Sequence, residues 1–180
     1  MTICPKFLYS GPDVPWMNPQ CLGINTLPPR SNLYTYPSEK KALNAEPLDS
    51  PWHLLLDGQW SFKLYRKPSD LEQGIIDPDY NDSGWDFIKV PGNWMMQGHD
   101  YPHYTNVQMP FSHQPPKVPK ENPTGVYSTS FVMPKRWKER RTVIHFGGVE
   151  SAFFVFCNGK MVGFGKDSRT PMEFEISSWI

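Results

Sequence analysis

An all-β sandwich of the jelly-roll kind, preceded by an extended N-terminal arm, is the fold class this sequence predicts. Three observations predict it. Proline accounts for 20 of the 180 residues, where average usage is about 5%; it neither donates to a sheet ladder nor continues a helix, so it favours short strands and long extended loops. Aromatic residues reach 14%, a share at odds with a disordered chain. Between turn signals, short segments of period two recur through the last two thirds of the sequence.

The elements follow in order. Residues 1–50 carry Pro5, Pro12, Pro15, Pro19, Pro28, Pro29, Pro37 and Pro47 and keep no strand or helix period. They read as an arm lying on another surface, with Trp16, Leu22, Ile24, Leu27, Tyr34 and Tyr36 to bury. A short helix is expected around 38–44. Residues 51–180 form the β domain. Asp57-Gly58 turns the chain into a strand at 59–65, where Trp60, Phe62 and Leu64 alternate with polar neighbours. A turn-rich connection at 77–84 leads to a strand at 85–90, which Pro91-Gly92 stops. Residues 91–124 then form a long proline-rich segment without a period, the kind of loop that is functional rather than filler.

Strands are expected next at 125–133, 142–146 and 151–157. Asn158-Gly159 is the strongest hairpin signal in the chain, because a type I′ turn needs positive φ at both central positions. A last strand is expected at 172–176. It stops near the C-terminus with no evident partner, so the sandwich reads as incomplete and the chain as truncated.

Composition excludes several classes. The length is too short for an α/β barrel of roughly 250 residues. No run of 18 apolar residues could span a membrane, and the first residues lack the apolar core of a secretory signal. Lys+Arg and Asp+Glu both number 18, so no overall field draws in nucleic acid or an anionic membrane. Cys4, Cys21 and Cys157 form no C-x-x-C pair. Neither a disulfide framework nor a zinc knuckle is expected, and a reducing, cytoplasmic setting is.

Six ordered motifs carry a resemblance. V-P-G-N-W-M-M-Q-G-H at 90–99 is followed by Y-T-N-V at 104–107 and P-K-V-P-K-E-N-P-T-G at 116–125. F-G-G-V-E-S-A-F (146–153), C-N-G-K-M-V-G-F-G (157–165) and D-S-R-T-P-M-E-F (167–174) come after them. Asn18-Pro19, Asn25, Leu27-Pro28-Pro29-Arg30 and L-D-G-Q-W at 56–60 extend the match toward the N-terminus. From about Trp16 to Ile180, the chain resembles glycoside hydrolase family two β-galactosidases.

The resemblance implies a galactose-binding-like jelly roll packed beside a barrel that carries two catalytic glutamates for retaining hydrolysis of terminal β-D-galactosides, lactose among them. It implies no catalytic residue in this chain, which alone would be inactive. One functional position carries over: Asn106 of Y-T-N-V would hydrogen-bond a galactose hydroxyl, with Val107 lining the same wall. An amide, with two donors and two acceptors, suits that task. The family's magnesium and sodium ions would be held by residues elsewhere, so no cofactor and no metal is assigned to this chain. Its implied partners are the galactoside substrate, the barrel domain and further copies in a homo-oligomer.

Other residues have plainer readings. Trp60 and Trp94 could stack on sugar but suit a core. His99, His103 and His113 lack the convergence a metal needs, since Pro102 breaks any helix that would align them. The basic run K-R-W-K-E-R-R at 135–141 reads as a solvated turn between strands. Glu173 and Glu175 project from the polar face of a strand, and neither they nor Glu150 has surroundings that would raise a carboxyl pKa. Two competing functions remain at this point. A self-standing carbohydrate-binding module would need a complete sandwich, and another family two activity, such as a β-glucuronidase, is disfavoured by the motifs at 104–107 and 121–125.

Overall fold

The turn that the sequence marks most clearly is formed. Asn158 and Gly159 have φ values of 49° and 74° and join Val149–Cys157 to Lys160–Asp167 as a hairpin with Cys157 opposite Lys160. The structure, a computed structural model, describes residues 14–43, 46–102 and 114–180. In chain order its strands are β1 (Gly23–Ile24), β2 (Gly58–Tyr65), β3 (Asp86–Val90), β4 (Thr124–Ser128), β5 (Val143–Phe146), β6 (Val149–Cys157), β7 (Lys160–Asp167) and β8 (Met172–Glu175). One short helix, α1 (Glu39–Leu43), buries nothing. Every strand pair is antiparallel, in sheets ordered β3-β2-β4, β1-β7-β6 and β5-β8. The fold is all-β and sandwich-like, as the composition requires.

Strand β2 is central to its sheet, and both of its faces are covered. Alternate side chains point to opposite sides of a strand. On one side, Tyr65 is buried with Ile75 against Leu71, Val126 and the β6 rings Phe154 and Phe156. On the other, Phe62 is fully buried, with its ring 4.8 Å from Tyr127, its cross-strand partner on β4. A second core gathers Val155, Val162, Phe174 and Ile176, with Ile144, Phe146, Phe153 and Met172 around them. Phe153 and Phe174 meet edge to face at 5.9 Å, a geometry that places the positive rim of one ring on the negative face of the other.

Three details differ from the sequence reading. The strand expected at 125–133 ends at Ser128, opposite Ser61. Beyond it the chain leaves β2: Phe131 turns into the core around Phe174 while Val132 is 88% exposed, so the alternation there records packing and not pairing. The diverging segments 54–59 and 129–132 line an open groove of about 330 Å³.

The last strand does have partners. β8 pairs with β5 from Val143↔Glu175 to Phe146↔Met172, and Thr26 of the arm bridges to Phe174. β1 pairs with β7 through Gly23 and Ile24, and Asn25 at φ 58° redirects the chain to reach β8. A two-residue strand followed by a left-handed residue leaves no period to read.

The basic run is solvated between two strands, as expected, and differs only in being pinned. The Trp137 Nε1 and Arg136 Nε groups both donate to the Pro51 carbonyl at 2.9 Å, and the Arg140 guanidinium sits 3.8 Å from the Trp52 ring centre as a cation–π pair.

Candidate functional site

The long loop leaves β3 after Val90 and enters β4 at Thr124. Val90 lies opposite Gly58 and Thr124 opposite Tyr65, the two ends of β2. The loop therefore has to travel the length of β2, roughly 25 Å for eight residues in extended geometry. Asn106 and Val107 fall outside the described residues, as do His103, Tyr104 and His113; the structure describes the loop's two anchored arms.

The departing arm is fixed at several points. Trp94–Gln97 form one 3-10 turn, closed by Gly98 in the left-handed region at φ 92°, and the His99 amide donates to the Trp94 carbonyl at 3.1 Å. Trp94 and His99 both lie on Phe62, with ring centres 6.0 and 4.7 Å away. Gly125 makes this fit possible: a Cβ there would stand 2.6 Å from Trp94 Cζ3 and 2.7 Å from Phe62 Cε2. Trp94 Nε1 is buried without a hydrogen-bond partner among the described residues. Trp60 instead donates to the Leu56 carbonyl at 2.8 Å. Trp94 thus packs on Phe62, and Trp60 is tied by its ring nitrogen to the backbone before β2.

The returning arm is held by the Asn122 amide on the Arg66 carbonyl at 3.0 Å and by Thr124 Oγ1 donating to the Asn122 carbonyl at 2.9 Å. Arg66 and Glu121 add an exposed ion pair at 3.5 Å, of little energetic weight in water.

Several ionisable groups elsewhere link segments of the fold to one another. Glu173 accepts from both Arg30 Nε and Nη2, at 2.9 and 2.8 Å, and lies 3.1 Å from His145 Nδ1. Glu175 accepts from Arg141 Nε at 2.8 Å, and that hydrogen bond holds its carboxyl below the usual carboxylate range. A general acid needs the opposite shift, so Glu175 is unsuited to protonating a leaving group, and Glu173 is occupied by Arg30 and His145. Glu150 meets Arg169 at 3.5 Å.

On the β6 side of β2, Glu72 accepts hydrogen bonds from Lys63 Nζ at 2.5 Å, from Tyr65 at 3.2 Å and from Tyr80. These donors, Lys63 foremost, lower its carboxyl to about 2. Burial first, and then Glu72, push Tyr65 up to about 12; the bond to Glu72 is the leading cause for Tyr80, also about 12. This cluster ties residues 68–80 to the sheet. Among the described residues, no three His, Cys, Asp or Glu side chains converge to hold a metal, and no helix is long and apolar enough to cross a membrane.

Chemically, the groups around Phe62, Arg66 and Lys89 support the two arms of a loop. Sequence reasoning missed Gln97, whose side chain bonds to the backbone of Lys89; no motif signals such a contact.

Comparison with known proteins bears on what the loop serves. A family described as the sugar binding domain of glycosyl hydrolases family 2 matches residues 54–180. A β-galactosidase of Psychromonas ingrahamii is 43% identical over 162 residues, covering 90% of this chain. Those of Vibrio cholerae and Photobacterium profundum are 43% and 42% identical, each over 92% of it. In all three the chain spans only 16% of the relative's length.

Proposed function

The chain belongs to glycosyl hydrolase family 2, through its sugar-binding domain, and from that membership we propose that it supplies part of the galactose subsite of a longer β-galactosidase. In this reading the reaction is retaining hydrolysis of terminal β-D-galactosides such as lactose, with both catalytic carboxylates on a barrel domain outside these residues. Asn106 reaches the sugar with its amide, which can donate to one hydroxyl and accept from another, and Val107 lines the wall beside it. A site built to pair a hydroxyl discriminates strongly against sugars that lack or misplace it.

The observation that carries this reading is the anchoring of residues 91–123. Aromatic packing on Phe62 and the hydrogen bonds at Asn122 and Thr124 fix the ends of a loop whose middle bears the Y-T-N-V motif. A sugar contact needs such a rigid frame, because ordering a free loop on binding would cost conformational entropy.

The same reading places the enzyme in the cytoplasm as a homo-oligomer and assigns its magnesium and sodium ions to residues outside this chain. Its test is Asn106→Ala in the longer enzyme. Loss of one buried hydrogen bond to substrate should lower kcat/KM for lactose by about tenfold to a hundredfold, or about 1–3 kcal/mol. Unchanged kinetics would remove Asn106 from the subsite.

A further inference from the structure

Asn158-Gly159 is a turn and also a reactive pair. The fold demands glycine at 159 on two counts: φ there is 74°, and a Cβ would stand 3.0 Å from Pro78 Cδ and 3.4 Å from the Ile76 carbonyl oxygen. A residue without a side chain leaves its backbone nitrogen unhindered toward the side-chain amide carbon of the residue before it. Asn158, which offers that carbon, is exposed. No other Asn-Gly occurs in the sequence.

In the folded protein this asparagine is held. Its Nδ2 donates to the Trp179 carbonyl at 2.5 Å, its backbone sits at φ 49°, and Cys157 pairs with Lys160 across the turn. The Trp179 carbonyl reaches it because the chain after β8 is itself fastened. The Ile176 amide donates to the Thr142 carbonyl and the Trp179 amide to the Ile176 carbonyl, both at 2.9 Å, and the Thr142 amide donates to Ser177 Oγ at 2.9 Å. The tip of the β6–β7 hairpin therefore touches both residues 76–78 and the turn after β8.

We propose that Asn158 is a site of spontaneous deamidation, held back by the closed turn and the Trp179 carbonyl. The Gly159 nitrogen attacks Asn158 Cγ. The new C–N bond closes a succinimide ring, the Cγ–Nδ2 bond breaks, and the proton of the attacking nitrogen leaves with the amide group as ammonia. Water then opens the ring at either carbonyl, giving aspartate or isoaspartate. Both products place a carboxylate where the Trp179 carbonyl had met a donor, so attraction becomes repulsion. Isoaspartate also routes the main chain through Cβ and Cγ, one methylene longer, which a two-residue turn cannot absorb without loss of register. A transient local opening is thereby converted into a permanent change.

The test follows the peptide containing Asn158 by mass spectrometry, where an amino group replaced by hydroxyl is read directly. The protein is aged in mildly alkaline buffer with and without guanidinium chloride. Denaturant should speed the conversion about tenfold or more, because opening of the turn no longer limits it. Ser177→Ala, which removes the acceptor of the Thr142 amide, should speed it severalfold in buffer and leave the denatured rate unchanged. Asn158→Asp should melt below Asn158→Gly, since only the aspartate sets a carboxylate against the Trp179 carbonyl. Where Asn158→Asp fails to fold, the rate comparison on the unsubstituted protein decides alone.

No conversion in denaturant would remove the site, and equal rates with and without denaturant would remove the protection. Ser177→Ala converting at the unsubstituted rate in buffer would take the Trp179 contact out of the proposal. Equal melting of Asn158→Asp and Asn158→Gly would overturn its consequence for the fold.

Discussion

The two faces of β2 are buried by different kinds of structure. One is covered by strand β6, with Phe154 and Phe156 packed toward Tyr65, together with the connection that carries Leu71, Ile75, Ile76, Tyr80 and Trp85. The other is covered by loop, with Trp94 and His99 on Phe62. On the first face β6 brings its own ladder with β7, and Glu72 ties the connection to the sheet through Lys63 and Tyr65. A loop brings no ladder and must be fixed by individual devices: a glycine that lets a ring approach, a capped 3-10 turn, a side-chain amide on an exposed edge.

Substitutions can separate the two faces, and the largest effect belongs to the loop-covered one. Phe62→Ala empties a fully buried ring site that Trp94, His99 and Tyr127 all touch. It should cost about 4 kcal/mol in urea unfolding of the chain. Gly125→Ala comes next, at about 2 kcal/mol, since its methyl would overlap two rings. Its signature should be a change in tryptophan fluorescence before global unfolding, as Trp94 is forced off Phe62.

A smaller effect belongs to the hairpin that covers the other face. Asn158→Ala places alanine at φ 49°, with an expected cost of about 1–2 kcal/mol and no change around Trp94.

Acid should act on the strand-covered face through Glu72. The Glu72 carboxyl is lowered from 4.5 to about 2 in the folded protein. Its contribution to stability is complete above pH 4.5 and is lost as pH falls from there toward 2. Tyr65 and Tyr80 are raised from 10.0 to about 12, so their contribution is complete below pH 10 and is lost as pH rises toward 12. Glu72→Gln should flatten the acid limb of a stability–pH curve, and an unchanged limb would assign acid sensitivity to other groups.

The same contrast explains what the sequence made legible. Local rules announced the β6–β7 hairpin, through Asn158-Gly159, and the alternation of Trp60, Phe62 and Leu64 announced β2. The pairing of Thr26 with β8 was not legible, because two paired residues and a left-handed Asn25 make no period. Nor was the early end of β4, because Phe131 keeps the alternation by packing into a core after its backbone has left the ladder. The basic run hid its anchors in Pro51 and Trp52, some 85 residues away. Gln97 was invisible for a related reason: a side chain that imitates a strand residue leaves no pattern. Asn106 and Val107 could be named only because they sit inside a recognisable motif, since an asparagine in a proline-rich loop is otherwise an ordinary turn residue.

The most direct measurement is a crystal structure of the longer enzyme with a galactoside bound. The account predicts the Asn106 side-chain amide within hydrogen-bond distance of a sugar hydroxyl. A sugar seated in the active site that touches no residue between 91 and 123 would contradict the account.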